Sequence, residues 1–118
     1  SPQDAEKAAA QGVDAIVVSN HGGRQLDGAP ATLDALGPIR DAVGPDFPLI
    51  VDGGIRSGED VLKALIAGAN FVLMGRAFLY SVAALGQEGA AEAFAMLGAE
   101  LTNAMAQTGL RDIVDISK

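Results

Sequence analysis

The sequence predicts an α/β fold built on a parallel sheet. Three observations carry this reading. Short apolar, β-branched runs alternate with segments of helical periodicity. The runs lack in–out alternation, the pattern of strands buried on both faces as in parallel sheets. Each run ends in a glycine-containing loop with an arginine, followed by the start of a crossover segment.

Ser1 before Pro2 is an N-cap and N1 pair, opening an Ala-rich helix to about Gln11, with Gly12 just past its end. Ala15-Ile16-Val17-Val18 reads as the first strand and runs into the polar loop Ser19-Asn20-His21-Gly22-Gly23-Arg24. From about Thr32 to Val43, residues Leu33, Leu36, Ile39 and Val43 recur at helical spacing, and Pro38 is expected to break or kink that helix. Leu49-Ile50-Val51 is the second strand, followed by Asp52-Gly53-Gly54-Ile55-Arg56. Ser57 opens the next helix with Asp60 in capping-box position; Val61, Leu62, Leu65 and Ile66 form its apolar face and Gly68 closes it. Phe71-Val72-Leu73-Met74 is the third strand, with Met74 assigned to the core, and it ends at Gly75-Arg76. A last helix is expected from about Glu88 to Gln107, with Phe94, Leu97, Leu101 and Met105 on one stripe. Thr108-Gly109 stops it, and a short mixed tail runs to Lys118.

Composition narrows the function classes. The chain has 118 residues, 49% of them apolar, which suits one small domain or part of a larger one and excludes a disordered chain. A net charge of −7 argues against general nucleic-acid binding and gives no attraction to anionic membrane surfaces. No apolar run approaches the roughly 18 residues of a spanning helix. With no cysteine, disulfides, thiolate catalysis and Cys-ligated metals are excluded, and one histidine cannot build a multi-His metal site. No signal peptide is read at Ser1-Pro2-Gln3-Asp4, and a cytosolic setting is compatible with all of this.

The arginines point to a site. Of the five, Arg24, Arg56 and Arg76 lie just past the C-terminal end of a predicted strand. Those ends share one rim in parallel α/β folds, where binding sites are built. An acidic chain that gathers its arginines on one rim is suited to anions, because a guanidinium grips carboxylate or phosphate with a rigid fork. Glycines in Asp52-Gly53-Gly54-Ile55-Arg56 and Gly75-Arg76 let backbone N–H groups approach a phosphate, and barrel enzymes often place a phosphate after their last two strands. The alternative is that the glycines serve tight turns and the arginines are solvated. His21, the sole histidine, stands three residues before Arg24, and an imidazole is a side chain able to take a proton. The pair suits proton abstraction near a carboxylate-bearing carbon; the alternative is a loop histidine bonded to backbone. Asp52 is either a base or a partner for sugar-like hydroxyls. Asp14 and Asp27 read as caps or turns, and Ser19 and Asn20 as residues that orient the His21 loop.

Ser19-Asn20-His21-Gly22-Gly23-Arg24-Gln25-Leu26-Asp27-Gly28 resembles the active-site signature of the FMN-dependent α-hydroxy-acid oxidases and dehydrogenases. Asp52-Gly53-Gly54-Ile55-Arg56-Ser57-Gly58 and Leu73-Met74-Gly75-Arg76 resemble the two phosphate loops of that family, in its order and spacing. The first motif is highly specific; the second is shared with other FMN barrels. The resemblance spans about Gly12 to Ile113. It implies that His21 is the catalytic base, taking the C2 or hydroxyl proton, and that Arg24 binds the substrate carboxylate. It implies that Asp52 contacts the FMN ribityl chain, that Gly53 adjoins it, and that Gly54, Arg56, Gly75 and Arg76 hold the phosphate. The reaction implied is oxidation of an L-2-hydroxy acid of lactate, glycolate or mandelate type to the 2-oxo acid, with the flavin accepting two electrons.

The fold implied is the C-terminal part of a TIM (β/α)8 barrel, its last three βα units plus closing helices, over residues 1–118. A complete barrel takes about 250 residues. The start at Ser1, inside a helix, reads as a fragment, and the family's flavin lysine, substrate tyrosines and acidic partner of the base lie outside this chain. The expected partners are therefore the N-terminal half of the barrel and, for the complete protein, further copies in a homotetramer. The setting implied is cytoplasmic or peripheral to the inner membrane face. Isolated, the chain is expected to show little turnover. The alternatives are a non-catalytic FMN- or phosphate-binding half-barrel, and a different FMN barrel enzyme sharing only the phosphate loops.

Overall fold

The computed structural model describes residues 1–116; Ser117 and Lys118, the end of the expected mixed tail, lie outside the described residues. The elements run in the order α1 Pro2–Ala10, β1 Ile16–Val18, α2 Thr32–Val43, β2 Leu49–Val51, α3 Gly58–Ile66, β3 Phe71–Val72, α4 Arg76–Leu85 and α5 Gly89–Gln107. The three strands are parallel and lie in chain order, with Ile16 beside Leu49, Val18 beside Val51 and Val51 beside Val72. All three therefore end at one edge, and the loops after them share one rim.

The helices cover one face of this sheet. Val18, Leu49 and Val51 are buried there against Leu36 and Ile39 of α2 and Ala64 of α3. The opposite face is bare: Val17 is 49% exposed and Phe71 60%. Burial on both faces, expected from the unbroken apolar runs, is thus corrected to burial on one. In parallel strands with matched register, Val17, Ile50 and Phe71 share the uncovered side, and no element among the described residues packs on it.

Local signals set most boundaries. The Ser1 hydroxyl accepts from the Asp4 N–H at 3.3 Å, and Gly12 follows α1 with φ 80°. The Ser57 hydroxyl accepts from the Asp60 N–H, but the Asp60 carboxylate reaches back to the Arg56 N–H at 2.9 Å rather than to that of Ser57, so only half of the expected capping box forms. Pro38 does not break α2, which continues through it. Pro38 and Asp34 are both exposed, so the carbonyl that loses its partner faces water.

Two helices depart from expectation. The Ala77–Leu85 stretch is apolar without a clear period and carried no helix expectation, yet α4 forms there. In α5, Leu97, Leu101 and Met105 are half-buried, but Phe94 is 73% exposed and Ala93 is buried instead. Close packing explains the shift. A Cβ at Gly89 would collide with the Ser81–Val82 backbone of α4, so small residues face that contact and Phe94 turns outward.

At the edge opposite the rim, Arg40 closes the sheet. It is 7% exposed and donates to the carbonyls of Gly68, Gly44, Pro45 and Phe47 and to Asn70 Oδ1, four of these bonds being 2.7 Å or shorter. Burial lowers its pKa below the ordinary arginine value, and the Asp46 carboxylate opposes that shift. The charge also sits in the last turn of α2, where carbonyls gather negative potential.

Candidate active site

The rim loops enclose a cleft of about 560 Å³, and His21, Arg24, Asp52, Gly53, Gly54, Arg56, Gly75 and Arg76 all line it. These eight candidate site residues are therefore brought to one place, from three loops up to 55 positions apart, while Ser19, Asn20, Asp14 and Asp27 do not line it. Leu79 and Tyr80 line it as well, unsignalled in the sequence, as do Ile55 and Leu73 of the quoted motifs, and Met74 faces this cleft rather than serving only the core.

The first loop is conformationally unusual. His21 has φ 53° in the left-handed region, and Gly22 and Gly23 follow at 66° and 73°. A histidine there is uncommon and is held only by its surroundings. Those surroundings are visible. The His21 N–H donates to Ser19 Oγ at 3.1 Å, the Gly22 N–H to Asn20 Oδ1 at 3.0 Å, and Arg76 Nη2 to the Gly22 carbonyl at 3.4 Å. His21 and Arg24 are both exposed at the cleft.

The second loop carries an orphan. Asp52 Oδ1 is buried and has no hydrogen-bond partner among the described residues, although Asp52 lines the cleft. A buried carboxylate oxygen without a donor is costly, and a ligand hydroxyl or N–H in the cleft would relieve it.

The two helix starts differ. At α3 the donors are already engaged: Asp60 N–H with Ser57 Oγ, Gly58 N–H with Glu100 Oε2 at 2.8 Å, and Arg56 N–H with Asp60. At α4 the N-cap is Gly75, no side chain caps the helix, and no acidic residue lies in its first turn. An anion entering the cleft therefore finds open N–H groups at α4 and guanidinium groups on Arg56 and Arg76. Taken together, the cleft offers an anion cradle, an unpartnered carboxylate and an imidazole with a free guanidinium three residues on. The orphan and the uncapped helix are the features a phosphate-bearing cofactor with a hydroxylated chain would satisfy, so the residues fit FMN.

Comparison with known proteins agrees with this geometry. The model of the FMN-dependent dehydrogenase family matches residues 1–118. An L-lactate dehydrogenase of Caulobacter vibrioides is 48% identical over 99% of this chain and 30% of its own length. An L-lactate oxidase of Alicycliphilus denitrificans is 49% identical over 98% of this chain and 32% of its length. Among solved structures, a mandelate oxidase variant with (S)-mandelic acid superposes with TM-score 0.94 at 45% identity, over 98% of this chain and 35% of that one. Another, bearing a monooxide FMN adduct, gives 0.93 at 45% identity over 98% and 37%. The chain spans about a third of the length of these relatives. No helix among the described residues is long and apolar enough to cross a membrane.

Proposed function

Because the chain belongs to the FMN-dependent dehydrogenase family, we propose that residues 1–118 are the C-terminal portion of a TIM (β/α)8 barrel domain that oxidises an L-2-hydroxy acid to the 2-oxo acid. The observation that carries the reading is the single cleft in which His21 and Arg24 meet the orphaned Asp52 carboxylate and the uncapped start of α4. The bare face bearing Val17 and Phe71 is consistent with further strands completing the barrel.

Each residue has a role. Arg24 grips the substrate carboxylate with two parallel N–H bonds and fixes its orientation. His21 takes a proton from the CH–OH group and holds it on its ring nitrogen. Asp52 accepts from hydroxyls of the FMN side chain, which relieves its buried Oδ1. Gly53 offers its N–H to the cofactor, Gly54 leaves open space for close approach, and Gly75, Arg76 and Arg56 take the phosphate at the start of α4. FMN supplies the two-electron acceptor for the reaction.

The test joins this chain to the N-terminal two-thirds of a relative such as the Caulobacter L-lactate dehydrogenase and loads the product with FMN. Oxidation of L-lactate, glycolate or mandelate by this holoenzyme, and little or none by the chain alone, is the expected result. A flavin-loaded protein that turns over none of the three overturns the catalytic reading and leaves a cofactor-binding piece.

A further inference from the structure

A polar seam lies behind the cleft, on residues that the proposed chemistry does not use. Thr32, the first residue of α2, is 5% exposed, and its hydroxyl is shared between the Asp52 carbonyl at 2.6 Å and the Gly53 carbonyl at 3.1 Å. Asn20 meets it from the other side. Its Nδ2 donates to the Pro30 carbonyl at 3.3 Å and its Oδ1 accepts from the Gly22 N–H at 3.0 Å. The same Oδ1 stands 2.7 Å from where a Cβ on Gly53 would sit, and Thr32 Oγ1 stands 3.4 Å from that point. Three segments separated by 10 to 33 residues in sequence are thereby pinned at one spot: the His21 loop, the entry to α2 and the Asp52–Gly54 loop.

The peptide geometry gives this spot a consequence. No peptide bond among the described residues is cis. In a trans peptide the N–H points opposite to the C=O. With the Asp52 and Gly53 carbonyls drawn onto Thr32, the N–H groups of Gly53 and Gly54 point away from it. Both glycines line the cleft, whereas Thr32 borders the adjoining pocket on the other side of the loop, which the two glycines also line. Without the hydroxyl, either carbonyl is free to rotate and carry its neighbouring N–H with it.

We propose that Thr32 and Asn20 are positioning residues: Thr32 aims the amides of the Asp52–Gly54 loop at the cofactor, and Asn20 locks the His21 loop onto that same loop. The inference deepens the proposed function and rests on it for its flavin and turnover readouts. The Thr32 hydroxyl is bonded to the Asp52 and Gly53 carbonyls and does not line the cleft. It acts through two carbonyls.

The experiment compares Thr32→Val, which keeps the shape and removes the hydroxyl, with Thr32→Ser, which keeps the hydroxyl, in the FMN-loaded holoenzyme. Thr32→Val is expected to raise the FMN dissociation constant about tenfold, in line with one lost buried hydrogen bond, and Thr32→Ser to stay within about threefold of the parent. Valine that binds FMN as tightly as threonine overturns the proposal, as does serine that fails as badly as valine. Asn20→Ala serves as the second variant if valine prevents folding. At saturating FMN its kcat is expected to fall about tenfold while KM stays within about threefold, and an unchanged kcat overturns the role of Asn20. Amide hydrogen exchange on the same flavin-free samples separates this inference from the functional reading. Faster exchange in Thr32→Val at Gly22, Gly23 and Asp52, whose N–H groups are hydrogen-bonded, supports the seam whether or not the parent oxidises a hydroxy acid, and unchanged exchange there rejects it.

Discussion

The two edges of the sheet handle arginine in opposite ways. Arg40, at the edge where the strands begin, is buried, and its guanidinium bonds four backbone carbonyls and one side-chain amide. Arg24 and Arg56, at the edge where the strands end, are exposed, and Arg76 makes a single long bond to the Gly22 carbonyl. The same contrast holds for carbonyl and carboxylate oxygens. Asn70 Oδ1 accepts from both Arg40 and the Leu49 N–H, whereas Asp52 Oδ1 accepts from nothing. One edge is finished by its own chain. The other keeps donors and acceptors open, which costs stability unless a ligand completes them. Satisfied polar groups mark where the fold is held, and open ones mark where it binds.

This comparison can be broken at either edge. The largest effect is expected from Arg40→Leu. It strands several carbonyls at about 1–3 kcal/mol each, so the urea midpoint should fall by the equivalent of about 3 kcal/mol or more. Flavin affinity of the protein that remains folded should be unchanged; a lost flavin site with normal stability would erase the distinction between the edges. His21→Gln should do the reverse, lowering kcat of the holoenzyme about 10²–10⁴-fold while FMN stays bound and the melting temperature holds. Full turnover in that variant removes His21 as the base. Arg24→Lys should raise KM about tenfold, because a point charge replaces a fork, and steady-state kinetics with an unchanged KM would separate Arg24 from the carboxylate. Smallest is Glu100→Ala. It uncaps the Gly58 N–H and should cost about 1 kcal/mol in denaturant titration, with kcat unaffected. A drop in kcat there would show that the α3 start belongs to the chemistry after all.

What could be read without coordinates follows sequence distance. His21 and Arg24 stand three residues apart in a glycine-rich loop, and Arg56 and Arg76 each close a strand-to-loop junction, so both signals were local. Thr32 and Glu100 gave no such signal. Their partners lie 20 and 42 residues away, and a threonine opening a helix or a glutamate within one is unremarkable by itself. The Phe94 stripe misled for a related reason. Helical periodicity defines a face, but α5 packs closely on both α3 and α4, Gly58 against Glu100–Leu101 and Gly89 against Ser81–Val82, contacts that no window within α5 contains.

By itself the sequence determined the alternation of strands and helices apart from α4, the order of the rim loops and the charged and glycine residues that line the cleft. Those depend on short-range preferences: β-branched runs, caps, and glycines where φ must be positive. The tertiary structure decided which side of the sheet was covered, which helix start stayed open for an anion, and which buried oxygen was left without a donor. These depend on where distant groups come to rest. Glu100 closes α3 while nothing caps α4, and Thr32 takes two carbonyls of the Asp52–Gly54 loop while leaving Asp52 Oδ1 unpartnered. A hydrogen bond between residues far apart in sequence is satisfied or left open only when the whole chain has packed.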